Sequence, residues 1–251
     1  MSIAAAVAIL AAGLAAGAVN TIVGSGSLIS FPTLLALGYP PVVANVSNTL
    51  GLVPGSASGA IGYRRELRGQ RRRVGVLGVA SGLGGLTGAV LLLVLPGSVF
   101  RGVVPILILA ACALVVVQPR LARRLAARGG PSRPHGGPML MAGVFGTGIY
   151  GGYFGAAQGV LLIALLGIFL DDTLQRLNGV KNVLAAVVNG VAAVVFILVA
   201  DVAWDAAALL AVGAAVGGQI GARVGRRIPA AALRVIIVVV GTTVAVQMLL
   251  A

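Results

Sequence analysis

Apolar residues fill long runs of this chain, notably Ile3 to Ile22, Val74 to Leu95, Val103 to Val117 and Val183 to Ala200. Each is near the length an α-helix needs to cross about 30 Å of hydrocarbon, so these runs predict membrane-spanning helices and not core helices. Two further apolar stretches are interrupted by small and polar residues: Gly24-Ser25-Gly26-Ser27 breaks the first, and Gly155-Ala156-Ala157-Gln158-Gly159 the second. The pieces that follow, Leu28 to Gly38 and Val160 to Leu170, are too short for a normal crossing. They predict half-helices that enter from one face and end near mid-membrane.

Composition agrees with this pattern. Of 251 residues, 59% are hydrophobic and only 9% charged, whereas soluble domains carry about 25% charged residues. The stretch from Met1 to Asn20 lacks a basic leader region and continues into more apolar chain, so it is read as an uncleaved first span. The formal net charge of +13 does not point to nucleic acid, because the Arg residues gather in short links between spans without interleaved aromatic residues. With Cys112 the only cysteine, internal disulfides are excluded and neither a metal site nor a cofactor is expected.

Comparing the chain with itself reveals a second copy of its first half at a constant shift of 133 residues. Asn45 falls on Asn178, Gly84-Gly85-Leu86-Thr87-Gly88-Ala89 on Gly217-Gly218-Gln219-Ile220-Gly221-Ala222, Pro96 on Pro229, and Arg101 on Arg234. Positive charge orients the copies, since Lys and Arg collect in cytoplasmic links. Arg64 to Arg73, Arg120 to Arg133 and Arg223 to Arg227 are Arg-rich, whereas the repeat partners of the first and third, Asp201 to Asp205 and Leu95 to Phe100, are not. Corresponding links therefore belong on opposite faces, and a hairpin that returns to its own side followed by three crossings satisfies this.

The predicted fold is an all-α polytopic membrane protein made of two inverted-topology repeats, each a broken helical hairpin plus three transmembrane helices. The first repeat is 1–118, with hairpin 3–38 and spans 41–63, 74–95 and 99–118. A cytoplasmic Arg/Pro/Gly linker occupies 119–137. The second repeat is 138–251, with hairpin 138–170 and spans 173–200, 206–222 and 230–250. Both termini are expected outside.

Non-helical backbone at membrane depth is tolerated only inside protein or beside a wet cavity, which makes both breaks candidate binding sites. Ser25 to Leu28 and Ala157 to Val160 would head half-helices whose free N–H groups and dipole favour an anion. Gly24, Gly26, Gly155 and Gly159 would let a ligand approach the backbone; tight helix packing is the competing explanation. A second polar feature follows each hairpin. Asn178, Asn182 and Asn189 lie within roughly 40° on one helical face, and their repeat partners are Asn45, Thr49 and Ser56. These faces would line a central site, or bond helices to one another.

Lys181 follows Asp172 by nine residues, roughly 13 Å along a helix. A cation at that depth is read as counter-charge to an anionic substrate; snorkelling, or pairing with Asp171 or Asp172, is the alternative. Its repeat partner is the neutral Asn48. The candidate substrate-binding set is thus Gly24, Ser25, Gly26, Ser27, Asn45, Asn48, Thr49, Gly155, Ala156, Gln158, Gly159, Asn178, Lys181 and Asn182. Arg101 and Arg234 are read as interfacial anchors. The Gly213/Gly217/Gly221 and Gly84/Gly88 series have the spacing of close helix packing.

All five acids, Glu66, Asp171, Asp172, Asp201 and Asp205, fall at span ends or in loops, so no buried carboxylate relay is visible and the coupling ion is left open among proton, sodium or none. An intramembrane serine protease built on Ser25 lacks a base, because His135, the only histidine, lies in the central linker. No enzyme is expected. A passive anion channel is the closer rival to a transporter, and a membrane scaffold is the third reading.

Tyr150-Gly-Gly-Tyr-Phe-Gly155 with Gly159, then Asn178-Gly-Val-Lys-Asn182 and Asn189, resembles the second-half signature of the TauE/SafE sulfite exporter family. Gly24-Ser-Gly-Ser27 with Pro32, and then Asn45 to Thr49, resembles the family's opening motif, with Ser25 and Ser27 interrupting its Gly-rich run. The likeness covers essentially the whole chain. It implies a secondary transporter of sulfite, sulfonates such as sulfoacetate, or related organic anions in a bacterial inner membrane. The expected partners are a small anion, the bilayer and, as an option, a second copy in a homodimer; nucleic acid is not among them.

Overall fold

A computed structural model describes residues 1–126, 137–224 and 230–250. Among the described residues the chain forms ten helices and no strand: α1 (Ile3–Ile22), α2 (Ser27–Ala36), α3 (Pro41–Gly62), α4 (Arg71–Val94), α5 (Gly97–Ala126), α6 (Gly137–Tyr153), α7 (Gln158–Phe169), α8 (Leu174–Val199), α9 (Trp204–Val224) and α10 (Ala230–Leu250). Most of the expected central linker, with His135, and the links Arg226, Arg227 and Pro229 lie outside the described residues.

Away from its ends, each helix pairs its own backbone polar groups, the requirement for crossing hydrocarbon. By length and composition, α1, α4, Gly97–Val117 of α5, α8 and α9 are apolar and long enough to span a membrane. Large apolar side chains such as Val94, Met139 and Leu198 stand exposed on the outside of the bundle, as lipid contact demands. By contrast α2 and α7, with 10 and 12 residues, reach only about 15 and 18 Å.

Helix α3 sits at the centre. It carries Asn45, Ser47, Asn48, Thr49, Ser56 and Ser58, all buried, and packs against α1, α2, α8 and α9. Small residues set the close contacts between other helix pairs of the bundle. A Cβ on Gly217 of α9 would meet the Leu14 carbonyl of α1 at 2.0 Å, and one on Gly88 of α4 would meet the Ile149 carbonyl of α6 at 2.0 Å. Backbones touch there, so the glycine series is packing.

The packing partners respect an exchange of the two halves. α1 lies on α9 and α6 on α4, α3 on α9 and α8 on α4, and α2 on α10 and α7 on α5, while α3 packs on its own counterpart α8 and α5 on α10. Asn178 bonds Tyr63 and Asn189 bonds Ser56, so numbers rise on α8 as they fall toward α3: these equivalent helices run antiparallel. That arrangement is compatible with the inverted repeat.

At one end of the bundle Asp172, between α7 and α8, pairs with Arg73 of α4 at 2.7 Å and with Arg176 at 2.7 Å. The Arg64 to Arg73 link and the end of the second broken hairpin therefore share one face. Burial raises the Asp172 carboxyl, but the hydrogen bonds from Arg73 and the Thr173 N–H and the charges of Arg176 and Arg73 outweigh it, holding Asp172 below its ordinary value.

Candidate functional site

The two breaks meet inside the bundle. Helix α1 ends with Gly24 at φ 90°, α6 gives way to Gly155 at φ 77° and Ala157 at φ 57°, and α2 and α7 restart with no side-chain cap. Positive φ is easy for glycine and unusual for alanine, so both chains turn sharply within a few residues. The N–H of Gly159 donates to the Gly24 carbonyl at 3.0 Å. A Cβ on Gly24 would lie 2.4 Å from the Gly159 Cα, leaving no room for a side chain on either.

Every residue of the expected site is buried except the half-buried Gly155, but the residues do not form one uniform lining. Lys181 is fully buried. Its Nζ donates to the carbonyls of Asn20 and Thr21 at 3.0 Å each, and its stem lies against Gly159. It neither snorkels nor joins Asp172, whose oxygens Arg73 and Arg176 occupy. Those carbonyls belong to the last turn of α1, where helices leave acceptors unfilled and the dipole is negative. Asn178 and Asn182 also donate to the Thr21 carbonyl, at 3.3 and 3.4 Å.

On the opposite side, Asn45 of α3 donates to the carbonyl of Tyr153, the last residue of α6, at 3.0 Å. Each half thus uses the asparagine of its long polar helix to cap the broken hairpin of the other. Asn48 accepts from the Ser30 hydroxyl, whereas Thr49 turns back to its own helix at the Asn45 carbonyl. The carbonyl of Ala156 accepts from Tyr150. Gln158 fills the space above Gly151, where a Cβ would lie 2.4 Å from its amide carbon. The N–H groups of Leu28, Gln158, Gly159 and Val160, expected to be free for a ligand, are already given to the carbonyls of Ser25, Gly155, Gly24 and Ala157 as the chain tightens into each restart.

Several buried polar atoms around the breaks have no partner: Thr21 Oγ1, Ser25 Oγ, Asn45 Oδ1, Gln158 Nε2 and Asn178 Oδ1. An unfilled buried polar group costs about 1–3 kcal/mol, so each of these atoms calls for a partner such as water or a polar ligand. Asn20, Thr21, Ser30 and Tyr63 complete this shell and were not anticipated. The adjacent polar pair Asn20-Thr21 at the close of an otherwise apolar run was the available signal. Arg101 is exposed on α5, and the side chain of Arg234 lies outside the described residues.

An all-helical bundle with apolar outer faces and two broken hairpins meeting in a polar centre defines a multi-pass membrane protein of transporter type. The chain matches the family described as Sulfite exporter TauE/SafE over residues 9–248 and belongs to it. It is similar to the probable membrane transporter protein YfcA of Escherichia coli (strain K12), 27% identical over 202 residues that cover 79% of this chain and 72% of that protein. A probable membrane transporter protein of Haemophilus influenzae is 24% identical over 204 residues, 80% of this chain and 77% of the relative. No solved structure gives a significant match.

Proposed function

We propose that this protein is a secondary transporter that moves a small sulfur-containing or organic anion, such as sulfite, a sulfonate or sulfoacetate, across a bacterial inner membrane, with no enzymatic step. The anion site lies between the two breaks, and the inverted halves expose it to each side in turn. The observation that carries this reading is the Lys181 side chain, fully buried beside the Gly24–Gly159 junction, where Ser25, Gln158 and Asn178 hold unpartnered polar atoms. A buried cation beside unpartnered polar atoms favours a negatively charged ligand. The Ser25 hydroxyl has no hydrogen-bond partner, which supports a binding role for it over an activated nucleophile. Both termini are placed outside, on the rule that Arg-rich links stay in the cytoplasm.

The test is thermal stability of the purified protein against sulfite, sulfate, taurine, sulfoacetate and small carboxylates, since a ligand of the native state raises the apparent Tm. A shift with one of these anions, weakened about tenfold or more in apparent affinity by Lys181→Gln, is the expected result. Equal affinity in Lys181→Gln would remove that residue from the site. Flux in vesicles then separates a transporter from a passive anion channel: accumulation beyond the anion's own gradient excludes the channel.

A further inference from the structure

We propose that the Lys181 ammonium is a built-in cation, standing where an alkali ion would otherwise sit at the broken end of α1, so that anion movement through this protein does not require sodium.

Broken helices in transporters present C-terminal carbonyls that coordinate sodium. Here the equivalent oxygens face a side chain. The carbonyls of Asn20 and Thr21 each receive Lys181 Nζ at 3.0 Å. Thr21 Oγ1 and Asn178 Oδ1 are buried without partners, and the Asn178 and Asn182 amides also donate to the Thr21 carbonyl. This is an oxygen-rich cradle of neutral groups at the negative end of a helix dipole, and its positive charge is supplied from α8 by a tether. Asp172 does not compete for that charge, since it is engaged by Arg73 and Arg176, and Asp171, Asp201 and Asp205 lie in loops or at a helix start.

The device exists on one side only. At the repeat-equivalent position Asn48 carries no charge and bonds Ser30, and the Tyr153 carbonyl that ends α6 is capped by Asn45. The tether also joins the second half's polar helix to the first half's hairpin, so the cation travels with the protein and is not consumed from the medium. This rests on the anion-site reading in one respect, that the same charge faces the anion.

The experiment compares sodium chloride with choline chloride for the wild type and for Lys181→Ala. In the wild type, sulfite flux and apparent Tm should agree between the two salts within about twofold and 1 °C. In Lys181→Ala, the Asn20 carbonyl, freed of its donor, together with the Thr21 carbonyl and the unpartnered Thr21 and Asn178 side-chain oxygens, should take up sodium, raising the apparent Tm by about 3 °C or more over choline, as a native-state ligand does. A sodium requirement for wild-type flux overturns the proposal, as does a folded Lys181→Ala whose Tm ignores sodium. If Lys181→Ala does not fold, Lys181→Asn, which keeps a side-chain oxygen, takes its place in the same comparison. Should the anion reading itself be wrong, no anion would shift the wild-type Tm, yet the sodium response of the variant would still be read.

Discussion

Asn189 donates to the hydroxyl of Ser56 at 3.2 Å, and the two are separated by 133 residues, the shift that relates the halves of the chain. A symmetry axis through this point would produce such a contact, so the bond is compatible with the inverted repeat. The polar faces of α3 and α8 meet here inside the bundle. Ser56 also accepts from Asn20 of α1 at 3.2 Å, which links this contact to the turn that leads into the first break.

This bond gives a first prediction. A double-mutant cycle with Asn189→Ala and Ser56→Ala should return a coupling energy of about 0.5–1.5 kcal/mol, the range for interhelical hydrogen bonds in membranes. Additive effects would mean that the two faces do not meet.

Gly24 tests the junction. Gly24→Ala combines a φ of 90° with a Cβ placed 2.4 Å from the Gly159 Cα, and should destabilise by about 2–4 kcal/mol as strain and overpacking add. Gly38→Ala shares the positive φ, 88°, but meets nothing within 4 Å. It should lose only about 1 kcal/mol. Denaturation of both variants in detergent gives the comparison, and equal losses would count against close contact of the breaks.

Ser25 separates binding from folding. Its hydroxyl is buried without a partner, so Ser25→Ala removes an unsatisfied group and should leave the ligand-free protein as stable as before, or up to about 1 kcal/mol more stable. The anion-dependent rise in Tm should shrink in the same variant. A loss of ligand-free stability with an intact anion response would assign Ser25 a structural role instead.

Asp172 predicts a pH dependence. Its carboxyl is held below its ordinary value in the folded chain, so it contributes stability fully above the unfolded value of about 3.9, and that contribution disappears as pH falls through the lower folded value. Asp172→Asn should be less stable than wild type by about 1–3 kcal/mol at pH 7, with the same gap at pH 5. Below about pH 4 the two should converge, which unfolding measurements across that range will check.

Much of this protein was legible in one dimension. Membrane-spanning helices follow from runs of apolar residues and the broken hairpins from polar and glycine interruptions in those runs, because each is a property of neighbouring residues; the repeat read from identical spacing is compatible with the packing. The helices begin within a few residues of these signals, at Ser27 and Gln158 after the breaks. Partners were another matter. That Lys181 bonds the end of α1 and leaves Asp172 to Arg73 and Arg176, that the Gly159 N–H is given to Gly24, and that Thr21 stands in the polar centre all depend on which helices lie side by side. Hydrogen bonds act over about 3 Å between residues up to 161 positions apart here, and only the packed bundle decides which of the many buried donors and acceptors come within that reach.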